Sequence, residues 1–206
     1  MDALVIVDVQ NDFCPGGALP VPEGDRVVPV INAIQPRFPL VVATQDWHPP
    51  GHVSFAATHG RKPGEVVEFG GLQQVLWPVH CVQGTPGADF RQDLDRSRWA
   101  RVFQKGIDPH IDSYSGFFDN GRRRSTGLED FLREKGVSRV FVCGLATDYC
   151  VRWTALDARA LGFETLVVED ACRGVELQPG DVARALGEMA AAGARIIRSD
   201  SPEIPG

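Results

Sequence analysis

Short apolar runs alternate along the chain with segments whose apolar residues recur at helical spacing. Six runs have the length and composition of strands: Leu4–Asp8, Leu40–Ala43, Arg101–Phe103, Arg139–Cys143, Thr165–Val168 and Arg195–Ile197. Most of them are continuously apolar, which is typical of parallel strands covered on both faces. Helical periodicity fills the intervals, so the pattern predicts an α/β fold with a mostly parallel, about six-stranded sheet and helices on both faces.

Local signals refine this prediction. Asp25 is expected to cap a helix that ends near Pro36. Thr126 and Glu129 have the spacing of a capping box at the start of another helix. The run at 117–121, Phe-Phe-Asp-Asn-Gly, predicts a β-hairpin with a tight Asn-Gly turn.

One long segment has no clear periodicity. Residues 44 to about 100 are instead rich in Gly, Pro, His and Trp. A structureless stretch of this length inside a compact domain indicates either a functional region or an incorrect assignment. The chain contains no linker or internal repeat, so residues 1–206 are predicted to form a single domain with an irregular insertion at about 44–100.

Composition and charge narrow the functional classes. Of the 206 residues, 43% are hydrophobic and 23% charged, which allows a sizeable core without disulfides. The net charge of −6 argues against nucleic acids and anionic membranes as partners. No run approaches the roughly 20 apolar residues of a membrane-spanning helix, and the five cysteines include no CxxC pair. We expect a cytoplasmic protein, and the sequence leaves its oligomeric state open, a homo-oligomer included.

Three predicted strands end near residues of complementary chemistry. Asp8 closes the first strand, Lys105 follows the third, and Cys150 follows the fourth at the start of a helix. Ligands of parallel α/β sheets bind beyond the carboxyl ends of the strands, so these side chains are expected to meet. A carboxylate, an ammonium group and a thiol together can accept a proton, stabilise a thiolate and attack a carbonyl carbon.

Each of these residues also has a simpler interpretation. Asp8 could cap a turn, Lys105 could be a surface charge, and Cys150 could be a small buried apolar residue. The predicted place of Cys150 in the first helical turn favours catalysis, because unpaired N–H groups and the helix dipole there favour a thiolate. A nearby lysine would lower the pKa of the thiol further. Cys143, in contrast, falls inside a predicted strand and is expected to lie in the core.

The irregular segment holds a second polar cluster. Asp46 and His48 would project to the same side of an extended chain, and the Pro-Pro-Gly turn after them can bring His52 back toward them. His59 and His80 lie further along, and spacing alone does not choose between them. A carboxylate with two or three imidazoles suits a divalent ion such as Zn²⁺, Fe²⁺ or Mn²⁺. The alternative is a polar loop in which the histidines occur by chance.

Six motifs follow one another over nearly the whole chain: D-V-Q-N-D-F-C-P-G-G at 8–17, D-W-H-P-P-G-H at 46–52, W-P-V-H-C-V-Q-G-T at 77–85, K-G at 105–106, D-S-Y-S-G-F at 112–117 and G-L-A-T-D-Y-C-V at 144–151. In this order they resemble the nicotinamidases, also called pyrazinamidases, within the isochorismatase-like cysteine hydrolases. The histidine-containing motifs are specific to the nicotinamidase branch. The resemblance implies a Rossmann-like, isochorismatase-type three-layer fold.

The resemblance also implies a role for each matching residue. The implied catalytic residues are Asp8, Lys105 and Cys150. The implied metal ligands are Asp46, His48, His52 and His80, a set that selects His80 over His59. The residues implied to flank a pyridine ring are Phe13, Trp77 and Tyr114. A cis peptide between Leu145 and Ala146 is implied as well, with the amide groups of Ala146 and Cys150 forming an oxyanion hole.

The implied activity is the hydrolysis of nicotinamide, and also of pyrazinamide, through a thioester on Cys150, in NAD salvage. Nicotinamide would be the small-molecule partner, and one divalent ion (Zn, Fe or Mn) the cofactor. Two alternatives remain. Another cysteine hydrolase, acting on a ureido, carbamoyl or aliphatic amide, would need the three catalytic residues without four metal ligands. A non-enzymatic metal-binding protein or thiol redox sensor would have no use for Asp8 and Lys105 in register.

Overall fold

The computed structural model describes all residues from Met1 to Gly206. It contains eight strands: β1 (Asp2–Val7), β2 (Leu40–Asp46), β3 (Val66–Phe69), β4 (Leu72–Val75), β5 (Trp99–Lys105), β6 (Arg139–Leu145), β7 (Glu164–Arg173) and β8 (Arg195–Ile197). Six of them form one sheet in the order β5-β2-β1-β6-β7-β8, and every neighbouring pair is parallel. All six predicted strands are therefore confirmed.

Four α-helices surround this sheet: α1 (Val27–Ile34), α2 (Leu128–Glu134), α3 (Arg152–Ala160) and α4 (Asp181–Ala191). Helix α1 connects β1 to β2, which lies on the β5 side of it in the sheet. Helices α2, α3 and α4 each lead to a strand that lies closer to the β8 edge than the strand before it. Right-handed crossovers therefore place α1 on one face and α2, α3 and α4 on the other, which confirms the predicted three-layer α/β fold. None of the helices combines the length and apolarity needed to cross a membrane.

The central strands form the core of the molecule. Every residue from Ala3 to Val7 in β1 is fully buried, because β2 and β6 flank the strand and helices cover its faces. Val27 and Ile31 of α1 are fully buried as well and belong to the same core cluster. Burying a Val, Leu or Ile side chain contributes about 1.5–3 kcal/mol. This packing fixes the strand ends, from which the functional residues project.

The irregular segment contains one element that the sequence pattern did not reveal. β3 and β4 pair as an antiparallel hairpin, from Val66 opposite Val75 to Phe69 opposite Leu72. Most of this hairpin is exposed or half-buried, so it lacks the apolar alternation that marks a strand packed on a core. The rest of the segment consists of turns and short 3₁₀ turns between β2 and β5.

Three local predictions differ from the structure. α1 begins after Arg26 without a side-chain cap from Asp25, because residues Gly24–Arg26 already form a 3₁₀ turn that leads into it. Thr126 Oγ1 accepts a hydrogen bond from a backbone N–H (3.2 Å), but the residue before α2 is a left-handed glycine rather than the predicted cap. The predicted hairpin is present only as one antiparallel bridge, between Phe118 and Ser125. Its turn is longer than the predicted Asn-Gly turn, because Asp119 accepts backbone N–H groups as far along the chain as Arg124.

Candidate active site

The carboxyl ends of β1, β5 and β6 bring the three predicted catalytic residues together. Lys105 Nζ lies 2.9 Å from Asp8 Oδ2 and 3.4 Å from Cys150 Sγ. Asp8 and Lys105 are almost completely buried, and Cys150 is 7% exposed. The predicted juxtaposition of acid, base and thiol is therefore present, although the residues lie far apart in sequence.

Asp8 presents its two oxygens to different partners. Thr44 Oγ1 donates a hydrogen bond of 2.7 Å to Asp8 Oδ1. Asp8 Oδ2 lies against the ammonium group of Lys105 but accepts no hydrogen bond of good geometry. A buried carboxylate oxygen that accepts no hydrogen bond is a strong proton acceptor.

The charge states of this cluster follow from burial and from its neighbours. Burial raises the pKa of the Cys150 thiol well above its ordinary value, and Lys105 opposes this only in part. The expected lowering of the thiol pKa is therefore not found in the resting site. Burial also raises the pKa of Asp8, again against the effect of Lys105. Burial alone would lower the pKa of Lys105, but Asp46 and Asp8 outweigh it and raise the pKa.

Cys150 lies in a π-helical turn, Thr147–Val151, that leads directly into α3. The turn follows a cis peptide between Leu145 and Ala146, as the resemblance implies. The carbonyl oxygen of Ala146 accepts hydrogen bonds from the turn, whereas its N–H donates to no protein acceptor. That free N–H, beside the nucleophile, can donate to a developing oxyanion.

Asp46 connects this cluster to the predicted metal site. Its Oδ1 lies 2.9 Å from Lys105 Nζ. Its Oδ2 lies 3.0 Å from His48 Nε2 and 3.5 Å from His80 Nε2. The Nδ1 atom of each histidine is hydrogen-bonded to a backbone carbonyl oxygen. The partner of His48 is Gly106 at 2.9 Å, and the partner of His80 is Pro78 at 2.8 Å. Both imidazoles are thus oriented with Nε2 toward the Asp46 carboxylate.

This donor set fits a divalent ion. The ligand atoms of Asp46, His48 and His80 lie within 4.8 Å of one another, and all three residues are buried. A carboxylate with two imidazoles whose other nitrogens bond carbonyls is the arrangement of many Zn²⁺ and Fe²⁺ sites. Burial alone would raise the pKa of Asp46, but His48 and Lys105 outweigh it and hold the pKa well below its ordinary value. The carboxylate is therefore ionised and ready to bind a cation.

The other histidines differ in their placement. His52 stacks on His48 with ring centroids 4.1 Å apart, but its donor atoms group with His48 and Asp112 rather than with the other predicted ligands. Burial and the adjacent His48 lower the pKa of His52 to about 4, so its imidazole is neutral. His59 bonds the carbonyl of Val53 at 2.7 Å and belongs to neither group.

One glycine permits the close packing of the metal cluster. Gly106 has a φ of +65°, and a Cβ built on it would lie 2.4 Å from His48 Cε1. A larger residue would displace the imidazole, so the K-G motif at 105–106 has a structural reason. The lysine faces the thiol, and the glycine makes room for the histidine beside it.

A small cavity opens between the two clusters, with Cys150, Ala146, Asp46 and His80 at its floor and sides. Phe13, Trp77 and Tyr114 line it as predicted. Trp77 Nε1 donates to the Tyr114 hydroxyl at 3.2 Å, which fixes two of the three rings relative to each other. The lining residues that the sequence did not single out are Leu19, Asp112, Tyr149 and Val175.

The sequence analysis assigned no role in the site to Asp112 or Gln74. Asp112 opens the D-S-Y-S-G-F motif, but only the tyrosine of that motif was given a role. Gln74 lies on β4 and donates to Asp112 Oδ2 at 3.0 Å, so the unpredicted hairpin supports this wall of the cavity. Nothing in the spacing of the sequence indicates that contact, because the two residues meet only through the fold.

The chain is similar to known proteins over nearly its whole length. The Isochorismatase domain model matches residues 2–201. The chain is 52% identical over 198 residues to a nicotinamidase of Escherichia coli, covering 94% of this chain and 93% of that protein. A nicotinamidase/pyrazinamidase structure from Acinetobacter baumanii superposes with a TM-score of 0.93, at 49% identity and 96% coverage of each chain.

Two further solved structures contain small molecules or ions. One is PnC1 of L. infantum in complex with nicotinate, with a TM-score of 0.85, 40% identity and coverage of 97% of this chain and 93% of that one. The other is a pyrazinamidase of Pyrococcus horikoshii in complex with zinc, with a TM-score of 0.78, 43% identity and coverage of 96% and 98%. The match to nearly the whole domain and the identity to several full-length relatives show that this chain belongs to the isochorismatase family.

Proposed function

We propose that this chain is an amidohydrolase that converts nicotinamide to nicotinic acid and ammonia, and pyrazinamide to pyrazinoic acid, as its nicotinamidase relatives do by name. The observation that carries the proposal is the position of the cavity. It has the buried Asp8–Lys105–Cys150 cluster on one side, the Asp46–His48–His80 group on the other, and aromatic walls between them. The nicotinate complex of the L. infantum relative supports a pyridine carboxyl compound as the occupant.

The first half of the reaction forms a thioester. Asp8 Oδ2 takes the proton of Cys150, and the sulfur attacks the carboxamide carbon while Lys105 balances the charge. Collapse of the tetrahedral intermediate breaks the carbon–nitrogen bond, and Asp8 gives its proton to the departing nitrogen, which leaves as ammonia. The raised pKa of Asp8 helps both steps, because a weaker acid is a better base and can still return the proton.

The amide groups of Ala146 and Cys150 are the proposed donors to the oxyanion. A preorganised donor of this kind contributes about 3 kcal/mol to transition-state stabilisation in comparable hydrolases. The N–H of Ala146 makes no competing bond within the protein. It can therefore donate without first breaking a contact.

The second half releases the acid. Asp8, now ionised again, takes a proton from water, and the resulting hydroxide attacks the thioester carbon. Collapse expels the Cys150 sulfur, which recovers the proton from Asp8, and nicotinic acid departs. Lys105 stays protonated throughout, because two carboxylates hold its pKa high.

Asp46, His48 and His80 are the residues that would hold the divalent ion, and His52 is the proposed fourth ligand. When bound there, an ion of this class supplies a Lewis acid that can accept the ring nitrogen and orient the ring. The zinc complex of the P. horikoshii relative supports such an ion, and Zn, Fe and Mn all suit the donor set. Phe13, Trp77 and Tyr114 would contact the faces and edge of the ring.

The test is ammonia release from nicotinamide by the purified protein, with and without prior treatment with a chelator. We expect turnover in the untreated protein, a loss after chelation, and recovery when Zn²⁺, Fe²⁺ or Mn²⁺ is restored. Hydrolysis of a ureido or carbamoyl amide in place of nicotinamide would contradict the proposal and support another hydrolase of the superfamily.

A further inference from the structure

We infer that Asp12 is a positioning residue that holds His48 and His80, two ligands of the proposed metal site, in their binding geometry. This inference rests on the metal site proposed above. Asp12 lies in the first sequence motif, between strand β1 and the aromatic wall, but it does not line the cavity and has no part in the proposed chemistry. Its carboxylate nevertheless contacts the backbone beside His80.

Both oxygens of Asp12 accept backbone N–H groups from different segments. Oδ2 accepts the N–H of Cys81 at 2.7 Å, across 69 residues of sequence. Oδ1 accepts the N–H of Ala18 at 3.1 Å. Hydrogen bonds to a carboxylate are stronger than those between neutral groups, so this side chain joins the loop after β1 to the loop that carries His80.

The N–H that Asp12 holds belongs to a residue in an unusual conformation. Cys81 has a φ of +46°, which is uncommon for a residue other than glycine. It directly follows His80, and its carbonyl oxygen accepts the N–H of His48 at 2.9 Å. One residue therefore connects the two proposed metal ligands: its N–H is held by the Asp12 carboxylate directly after His80, and its carbonyl oxygen holds the backbone of His48.

Gly87 shows that the place of the carboxylate is tightly defined. A Cβ built on Gly87 would lie 2.2 Å from Asp12 Oδ2 and 2.4 Å from Asp12 Cγ. The segment that contains Gly87 is itself attached to the loop after β1, since Asn11 Nδ2 donates to the carbonyl of Pro86 at 2.8 Å. The carboxylate is thus enclosed between Gly87 and the Cys81 N–H.

The neighbouring residue links this arrangement to substrate recognition. Phe13 follows Asp12, and its ring lies 5.5 Å from the ring of His80 between centroids. A shift of the Asp12 backbone would therefore move both the aromatic wall and a proposed metal ligand. Asp12 acts on binding through these two residues, without touching the substrate itself.

The test is the affinity of metal-free protein for Zn²⁺, measured by competition with a chromogenic chelator. Asp12→Asn offers one acceptor oxygen where two N–H groups need acceptors, and its amide NH₂ faces one of them. We expect Zn²⁺ affinity to fall by about 10- to 100-fold, as is typical when an outer-shell partner of a metal ligand is lost. Gly87→Ala displaces the same carboxylate without changing the charge, and we expect a loss in the same direction.

Asp170→Asn is the matched control. Asp170 also joins distant segments, accepting the N–H of Ser199 at 2.8 Å and its hydroxyl at 2.6 Å, but it lies on β7 away from the metal ligands. We expect its Zn²⁺ affinity to equal that of the wild type. If Asp12→Asn proves too unstable to purify, the Zn²⁺ affinity of Gly87→Ala tests the inference by itself.

Three results would count against the inference. Wild-type affinity in both folded variants would overturn the positioning role and leave the metal site intact. An equal loss in Asp170→Asn would show general destabilisation rather than positioning. A wild-type protein that binds no Zn²⁺, Fe²⁺ or Mn²⁺ would reject the metal site itself, and the inference with it.

Discussion

The proposed catalytic cluster (Asp8, Lys105 and Cys150) and the proposed metal cluster (Asp46, His48 and His80) are adjacent, but different parts of the chain build them. Asp8, Lys105 and Cys150 lie at the carboxyl ends of three strands of one parallel sheet, so main-chain ladders set their spacing. His48 and His80 lie in irregular loops and are oriented by side-chain bonds to backbone carbonyls. The first cluster depends on the regular frame, and the second depends on local contacts.

The two clusters meet at one carboxylate. Asp46 Oδ1 contacts Lys105, and Asp46 Oδ2 contacts His48 and His80. The strand end of β2 therefore presents one oxygen to the proposed catalytic cluster and the other to the proposed metal site. If this division is correct, changes in each cluster should separate turnover from metal and ring binding.

The largest effect is expected from Cys150→Ala. Removing the sulfur should lower kcat by about 10⁵-fold or more, as loss of a nucleophile does in other hydrolases. Zn²⁺ binding should stay at the wild-type level, because Cys150 is not part of the metal group. Parallel assays of ammonia release and Zn²⁺ affinity check this, and loss of metal along with activity would show that the clusters do not separate.

A substrate analogue tests the other side of the division. Benzamide has the shape and the amide of nicotinamide but no ring nitrogen. A site built around a polar contact rejects an analogue that lacks it, by about 10⁴-fold in kcat/KM, and the aromatic walls treat both rings alike. We expect rapid hydrolysis of nicotinamide and pyrazinamide and very slow hydrolysis of benzamide. Similar kcat/KM values for nicotinamide and benzamide would mean that the metal does not hold the ring.

Alanine substitutions of the four histidines between residues 48 and 80 should reduce Zn²⁺ affinity by different amounts. His48→Ala and His80→Ala remove residues grouped with Asp46 and should each weaken binding by more than about 100-fold, beyond the usual outer-shell cost. His52→Ala should have a smaller effect, because His52 groups with His48 and Asp112 instead. His59→Ala is the control and should leave affinity unchanged. A loss with His59→Ala but not with His80→Ala would reverse the choice of ligand.

The smallest effect concerns the base itself. The Thr44 hydroxyl donates to Asp8 Oδ1 and so lowers the Asp8 pKa, partly offsetting the increase caused by burial. Thr44→Val removes that bond, so the Asp8 pKa should rise. The acid limb of kcat/KM should then move to higher pH, with less than about a 10-fold loss at neutral pH. Thr44→Ser keeps the hydroxyl and should keep the wild-type profile, and identical profiles for Val and Ser would exclude Asp8 as the base.

The sequence pattern predicts more of the catalytic cluster than of the metal cluster, and the reason is physical. Continuous apolar runs identify parallel strands, and the strand ends then predict that Asp8, Lys105 and Cys150 meet, although each residue alone also has a simpler interpretation. The pKa of Cys150 was not predictable in this way, because it depends on how deeply the fold buries the thiol. In the structure burial outweighs Lys105.

The metal cluster is less predictable from the sequence. Local spacing groups Asp46 with His48, but it does not show that His80 joins them or that His52 turns toward Asp112. The resemblance supplied His80, and the fold supplied Asp112. The β3–β4 hairpin was missed although a Gly-Gly pair lies at its turn, because its strands are short and largely exposed, so no apolar stripe marks them.

The division of labour within Asp46 also sets a rule for redesign. A library that aims to turn this protein into a metal-independent amidase for larger substrates could replace His48 and His80 with apolar residues and open the aromatic wall. It would have to keep the aspartate, because Lys105 would otherwise lose one of the two carboxylates that surround it. Asp46 therefore has two roles: one oxygen is a proposed metal ligand, and the other is part of a counter-ion for Lys105 that such a library must leave unchanged.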